Sequence, residues 1–148
     1  MFFRMNHDER MEIIEAFLKK ECFPTLRSKG SSYARKSNDV NANFKRAAKN
    51  LDLNKYQVWA VYYQKQYDAL LSFIEGGEES EPIYKRILDL VNYPLILLTM
   101  LVEDGIVIAA RTGEGQFITK FFRNENTPLS DRVKVVCGEE GNKTTKTG

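Results

Sequence analysis

From residue 7 to residue 22 the apolar side chains Met11, Ile14, Phe17, Leu18 and Cys22 recur at helical spacing. This pattern predicts a first helix with one face to bury, and Pro24 is expected to stop it. Residues 25–39, TLRSKGSSYARKSND, have no apolar period and are rich in serine, glycine and basic residues, so they read as a loop. Loops of this length in a compact domain often carry function. A second helix is expected over residues 40 to about 50, capped by Asp39, with Phe44, Ala47 and Ala48 turned inward. Asn54 followed by Gln57 has the form of a capping box opening a third helix, residues 55–74, which Gly76 and Gly77 end. Ser80 and Pro82 open a fourth, residues 81 to about 103, where Pro94 removes a backbone donor and is expected to kink it.

After Gly105 the period changes. IVIAARTGEGQFITKFF contains two apolar runs around Thr112-Gly113-Glu114-Gly115, the pattern of a β-hairpin. Residues 133–137 form a candidate third strand, and the polar tail 138–148 is expected to fray. The fold class that results is mainly α: a single domain with a four-helix core over about residues 7–103 and a small C-terminal β-hairpin or three-stranded sheet over residues 104–137.

Two helices carry polar groups in apolar surroundings. In the third, Tyr56, Trp59, Ala60, Tyr63, Tyr67, Leu70, Leu71 and Ile74 form the main apolar face. Lys65 and Asp68 lie on a second stripe with Val58, Val61, Tyr62 and Ala69, where half-buried charges need partners. In the fourth, Arg86, Asp89, Asn92 and Tyr93 recur three to four apart, and residues 88–101 are apolar almost all round, as in a central helix. Two readings follow. Lys65 can pair with Asp68, and Asp89 with Lys85 or Arg86, as ordinary structural contacts. Alternatively the two helices face each other and these charges line a pocket between them.

Composition narrows the chemistry. A chain of 148 residues with 43% apolar and 28% charged residues can bury a core. Its net charge is only +2, yet residues 19–55 hold ten basic and three acidic side chains, a local excess of +7 suited to a phosphate or to a solvated face. Cys22 and Cys137 have no metal-binding spacing and read as reduced cytosolic thiols. The apolar run 91–102 is too short to span a bilayer and no signal peptide is read, so a cytoplasmic protein without a membrane partner is expected. His7 is the single histidine, which argues against a Ser-His-Asp or Cys-His system and against zinc held by several histidines. No P-loop or dinucleotide fingerprint occurs; the GxG in RTGEGQ suits a hairpin turn. Phe121 and Phe122 beside Lys120 and Arg123 have the ingredients for single-stranded nucleic acid, but packing is the preferred reading and nucleic acid is not the expected partner.

The segments DVNANFKRAA, VWAVYYQKQYDAL and SEPIYKRILDLVNYPLILL resemble small all-helical bacteriophage and prophage proteins described as nucleotide-modification-associated or MazG-like. The likeness covers about residues 33–102, and its most specific parts are Asn43-Phe44, the polar pair late in the third helix, and Asp89-x-x-Asn92-Tyr93. It implies a helical bundle, usually a homo-oligomer, in which ExxE and ExxD motifs hold Mg2+ on a nucleoside triphosphate. Magnesium takes oxygen ligands, and i,i+3 spacing puts two carboxylates on one helix face. Glu12-x-x-Glu15 keeps that spacing, and Glu12, Glu15 and Asp89 would be the metal ligands if the protein is a hydrolase. The later positions read Lys65-x-x-Asp68 and Arg86-x-x-Asp89, with bases where acids belong. That departure favours a binder, since lysine and arginine hold phosphate without metal.

The expected function is nucleotide or nucleotide-derived ligand binding at a helix-lined site, without turnover as a sponge for a signalling nucleotide, or with turnover as a degenerate pyrophosphohydrolase. Lys65, Asp68, Asp89, Asn92 and Asn43 would supply polar contacts, with Arg86, Lys45 or Arg35 answering phosphate. The alternative is a non-enzymatic assembly module whose C-terminal hairpin adds to a partner's sheet.

Overall fold

The computed structural model describes residues 4–34, 39–111 and 117–126. Arg35, the turn at 112–115, the run at 133–137 and the tail from 138 lie outside these described residues. Among the described residues the chain is mainly helical, followed on its C-terminal side by a two-stranded antiparallel hairpin.

α1 spans His7–Phe17 and opens with a reciprocal capping box between Asn6 and Glu9. It does not stop before Pro24. Leu18–Cys22 form a π-helical turn, closed by the Phe23 N–H donating to the Leu18 carbonyl, and α2 follows over Phe23–Ala34. The physical reason lies in register. In an unbroken α-helix the Pro24 ring would press on the Lys20 carbonyl, and the wider π turn before it relieves that clash while the chain stays helical. The expected loop over 25–39 is therefore helical as far as residue 34. α1 also buries none of its residues, because it packs on little beyond the π turn.

α3, Ala42–Leu51, starts later than expected. Asp39 does not cap it directly; its carboxylate accepts from the Asn41 N–H at 2.9 Å and so shapes the turn before the helix. The inward residues are as expected: Phe44 and Ala48 are buried and Ala47 packs beside them. α3 ends on Asp52, a non-glycine residue at φ 54°.

α4, Lys55–Ile74, begins with the Asn54–Gln57 capping box. At its end Gly76 adopts φ 87°, its N–H donating to the Phe73 carbonyl while the Gly77 N–H donates to the Ser72 carbonyl at 2.8 Å. This pair of bonds is a Schellman motif, and glycine enters the left-handed region without a Cβ penalty. α5, Ile83–Glu103, has Pro82 at its N-cap, two residues beyond Ser80, and runs through Pro94. β1, Val107–Arg111, pairs antiparallel with β2, Ile118–Arg123, with Val107 opposite Arg123 and an irregularity between Ala110 and Arg111. Asn124 donates to the Gly105 and Ile106 carbonyls, tying the hairpin base to the end of α5.

The core lies between α3, α4 and α5, where Phe44, Ala48, Val58 and Met100 are buried. Trp59 stacks on Tyr63 and donates its indole N–H to the Tyr93 carbonyl at 2.6 Å, joining α4 to α5. The stripe that α4 turns inward differs from the expected main face. Val58 and Gln66 are its buried residues, while Tyr67, Leu71 and Ile74 are exposed. Phe73 is exposed as well, so apolarity alone did not choose the buried side.

Candidate functional site

A cleft of about 760 Å³ opens between α2, α3, α4 and α5. Each helix delivers a different chemistry to it. α3 contributes Asn43, Phe44 and Arg46, preceded by the exposed Val40 and the buried Asn41. α4 contributes Tyr62, Lys65 and Gln66, which share a face because they lie three and four residues apart. α5 contributes Asp89, Asn92 and Tyr93 by the same spacing, and α2 adds Thr25, Leu26 and Lys29.

The wall is aromatic. Phe44 meets Tyr62 edge-on with ring centroids 5.9 Å apart, and Tyr62 lies 6.5 Å from Tyr93. The amides sit deep: Asn41, Gln66 and Asn92 are buried polar residues. Asn92 donates its Nδ2 to the Cys22 carbonyl at 3.1 Å, and its buried Oδ1 has no hydrogen-bond partner. Gln66 accepts at Oε1 from Arg86 at 2.9 Å. Charge collects among the lining side chains, where Lys29, Arg46 and Lys65 outnumber the single carboxylate, Asp89. Lys29 pairs with Asp89 at 3.7 Å.

Four of the expected site residues, Asn43, Lys65, Asp89 and Asn92, thus meet in one cleft. Three others do not. Asp68 turns away because it lies 200° round the helix from Gln66; its carboxylate accepts from Gln64 at 2.7 Å in a shallow depression outside the cleft. Arg86 is tied up behind the wall, held by Gln66, Glu81 at 2.8 Å and Glu79 at 3.5 Å. Lys45 is caught between Asp39, at 2.7 Å, and Glu103. Burial would raise the Glu103 carboxyl, but hydrogen bonds from Lys45 and Asn41 outweigh it and hold the group below its ordinary value. The Lys45 hydrogen bond likewise lowers Asp39. These interactions leave Lys45 with structural partners rather than a place at the cleft.

Glu12 and Glu15 lie exposed on α1, with Glu15 3.4 Å from Lys19, while Asp89 stands in the cleft. Among the described residues no three histidine, cysteine, aspartate or glutamate side chains come close enough to hold a metal, and Glu12 and Glu15 do not meet Asp89 there. Sequence reasoning missed Lys29, Arg46 and Gln66. Lys29 fell in a segment read as loop. Gln66 was findable, since it continues the Val58–Tyr62 stripe at intervals of four.

The chain matches no family profile, no curated protein and no solved structure with which it was compared. The likeness to MazG-like proteins thus rests on the sequence motifs alone.

Proposed function

We propose that the protein binds a nucleotide or nucleotide-derived small molecule in this cleft and holds it without turnover. The supporting observation is the convergence of an aromatic wall, buried amides and three cations from separate helices on one concavity. Phe44, Tyr62 and Tyr93 suit the face of a base, Asn43 and Asn92 suit its polar edge, and Lys29, Arg46 and Lys65 suit phosphate. Holding a ligand without chemistry is the behaviour of a sponge for a signalling nucleotide in a host cell cytoplasm. The homo-oligomer belongs to the same reading, supported by the exposed Met11, Ile13 and Ile14 of α1. Sedimentation showing only monomer at micromolar concentration would remove that part.

The test is a thermal-shift series with nucleoside triphosphates and cyclic nucleotides, with and without magnesium. Ligand stabilisation follows concentration over dissociation constant, about 2.7 kcal/mol at a hundredfold excess over Kd. Lys65→Met should lose most of the shift and Lys19→Met, outside the cleft, should keep it. Equal shifts in all three proteins would return Lys65 to a structural role. Magnesium-dependent release of pyrophosphate, lost in Glu12→Gln, Glu15→Gln and Asp89→Asn, would instead support the degenerate hydrolase.

One observation favours a second reading, an assembly module. The hairpin leaves Phe117, Ile118, Phe121 and Phe122 exposed, at 69%, 47%, 55% and 44%. A two-stranded ribbon with open apolar groups gains by adding to a partner's sheet. Deleting residues 117–126 would then abolish partner capture and leave ligand shifts intact.

A further inference from the structure

α2 has the composition of a loop and the conformation of a helix. Five of its twelve residues are serine, glycine or proline, all poorer helix formers than alanine. Of its described side chains, residues 23–32, none is buried, whereas α3, α4 and α5 each bury at least two. A helix this short is marginal by itself and depends on packing. Among the described residues its buried attachment is at its start, where Cys22 is fully buried in the π turn and its carbonyl is held by Asn92. Farther along, a half-exposed Lys29 forms an ion pair with Asp89. Few buried contacts and poor helix formers are the marks of a segment that opens locally before the rest of the fold.

We propose that α2 is a lid over the cleft, hinged at the Leu18–Cys22 π turn and latched through Lys29. In the empty protein Lys29 pairs weakly with Asp89. An anionic group bound between α2 and α4 draws Lys29 from Asp89 and bridges it to Lys65, leaving Asp89 to accept from ligand hydroxyls. Occupancy then orders α2, and Lys29 acts as a positioning residue for closure. This rests on the nucleotide reading for the choice of ligand, while the looseness of α2 stands apart from it.

Gly30 offers an independent handle. A Cβ there meets nothing within 4 Å, and its backbone is not in the left-handed region. Gly30→Ala should therefore pre-order the lid. It should tighten ATP binding by about fivefold, the helix-propensity gain of alanine over glycine, because less of the protein must be ordered on binding.

The experiment is hydrogen exchange by mass spectrometry on the full chain, alone and with ATP or inorganic pyrophosphate. Without ligand, α2 amides should exchange roughly a hundredfold faster than those of α4 and α5. ATP should slow them by about tenfold or more in the wild type and fail to do so in Lys29→Met, with exchange in α3–α5 unchanged. Asp89→Asn should speed α2 exchange in the empty protein. If α2 is as protected as α5 without ligand, the lid is overturned. If ATP raises the melting temperature but leaves α2 exchange unaltered, the lid falls and nucleotide binding stands. If neither probe binds, the coupling falls together with the nucleotide reading.

Discussion

Asn92 on α5 and Cys22 at the end of the π turn, 70 residues apart, are joined by an amide-to-carbonyl hydrogen bond of 3.1 Å. The bond is buried, and it fixes where the long N-terminal helical segment crosses the bundle. Removing Asn92 leaves a buried carbonyl without this donor. Asn92→Ala should therefore destabilise the protein by about 1–3 kcal/mol in urea unfolding. Asn92→Asp should cost more at neutral pH, where a carboxylate would face that carbonyl, and recover part of the loss in acid.

A second junction sits at the other end of α5. The Lys55 ammonium lies 2.7 Å from Asp104, and the Tyr56 hydroxyl donates to the same carboxylate at 2.7 Å. Lys55 and Asp104 are only 11% and 17% exposed, so little water is at hand to replace either partner. Burial, then the hydrogen bond to Asp104, pushes the Tyr56 hydroxyl far above its ordinary range. Lys55→Met should cost about 3 kcal/mol, since breaking a buried pair strands the partner charge. Lys19→Met, which breaks an exposed pair with Glu15, should stay within about 0.5 kcal/mol. Equal losses would show that burial does not distinguish the two pairs.

The Asp39–Lys45–Glu103 cluster gives a pH dependence. Asp39 and Glu103 are held below their ordinary 3.8 and 4.5, so in both the folded carboxyl ionises more readily than the unfolded one. Their contribution is fully present above those ordinary values and is lost as pH falls through the depressed ones. Melting temperature should fall between about pH 5 and pH 3, and less steeply in Lys45→Met than in the wild type. Each of the three side chains is more than a third exposed, so the difference should be roughly 1 kcal/mol or less after solvent screening. Parallel pH profiles in the two proteins would count against the linkage.

Asp52 closes α3 in the left-handed region at φ 54°, where the Leu53 N–H reaches the Ala48 carbonyl at 2.9 Å. Glycine holds that conformation without a Cβ penalty. Asp52→Gly should be neutral or stabilising by up to about 1 kcal/mol, and Asp52→Val should be destabilising by about 1–2 kcal/mol. Chemical denaturation that ranks valine above glycine would contradict the backbone argument.

The sequence by itself determined features set by near neighbours along the chain. The Asn54–Gln57 box, the Gly76–Gly77 stop, the two apolar runs of the hairpin and the inward Phe44, Ala47 and Ala48 follow from side-chain period and backbone dihedral preference, which act locally. Lys65, Asp89 and Asn92 were also legible as polar groups placed against apolar stripes, and they meet in one cleft. Tertiary structure decided the rest. α4 carries two apolar stripes, and only the arrival of α3 and α5 made Val58 and Gln66 the buried ones while Tyr67, Leu71 and Ile74 stayed outside. Asp68 and Arg86 were candidates by helical position, but Gln64 and Glu81 reach them from four and five residues away, and Glu103 reaches Lys45 from 58 residues away. The helix of α2 was hidden by its own residues: serine and glycine favour a loop, and it took the π turn before Pro24 and the wall of the cleft to hold them helical.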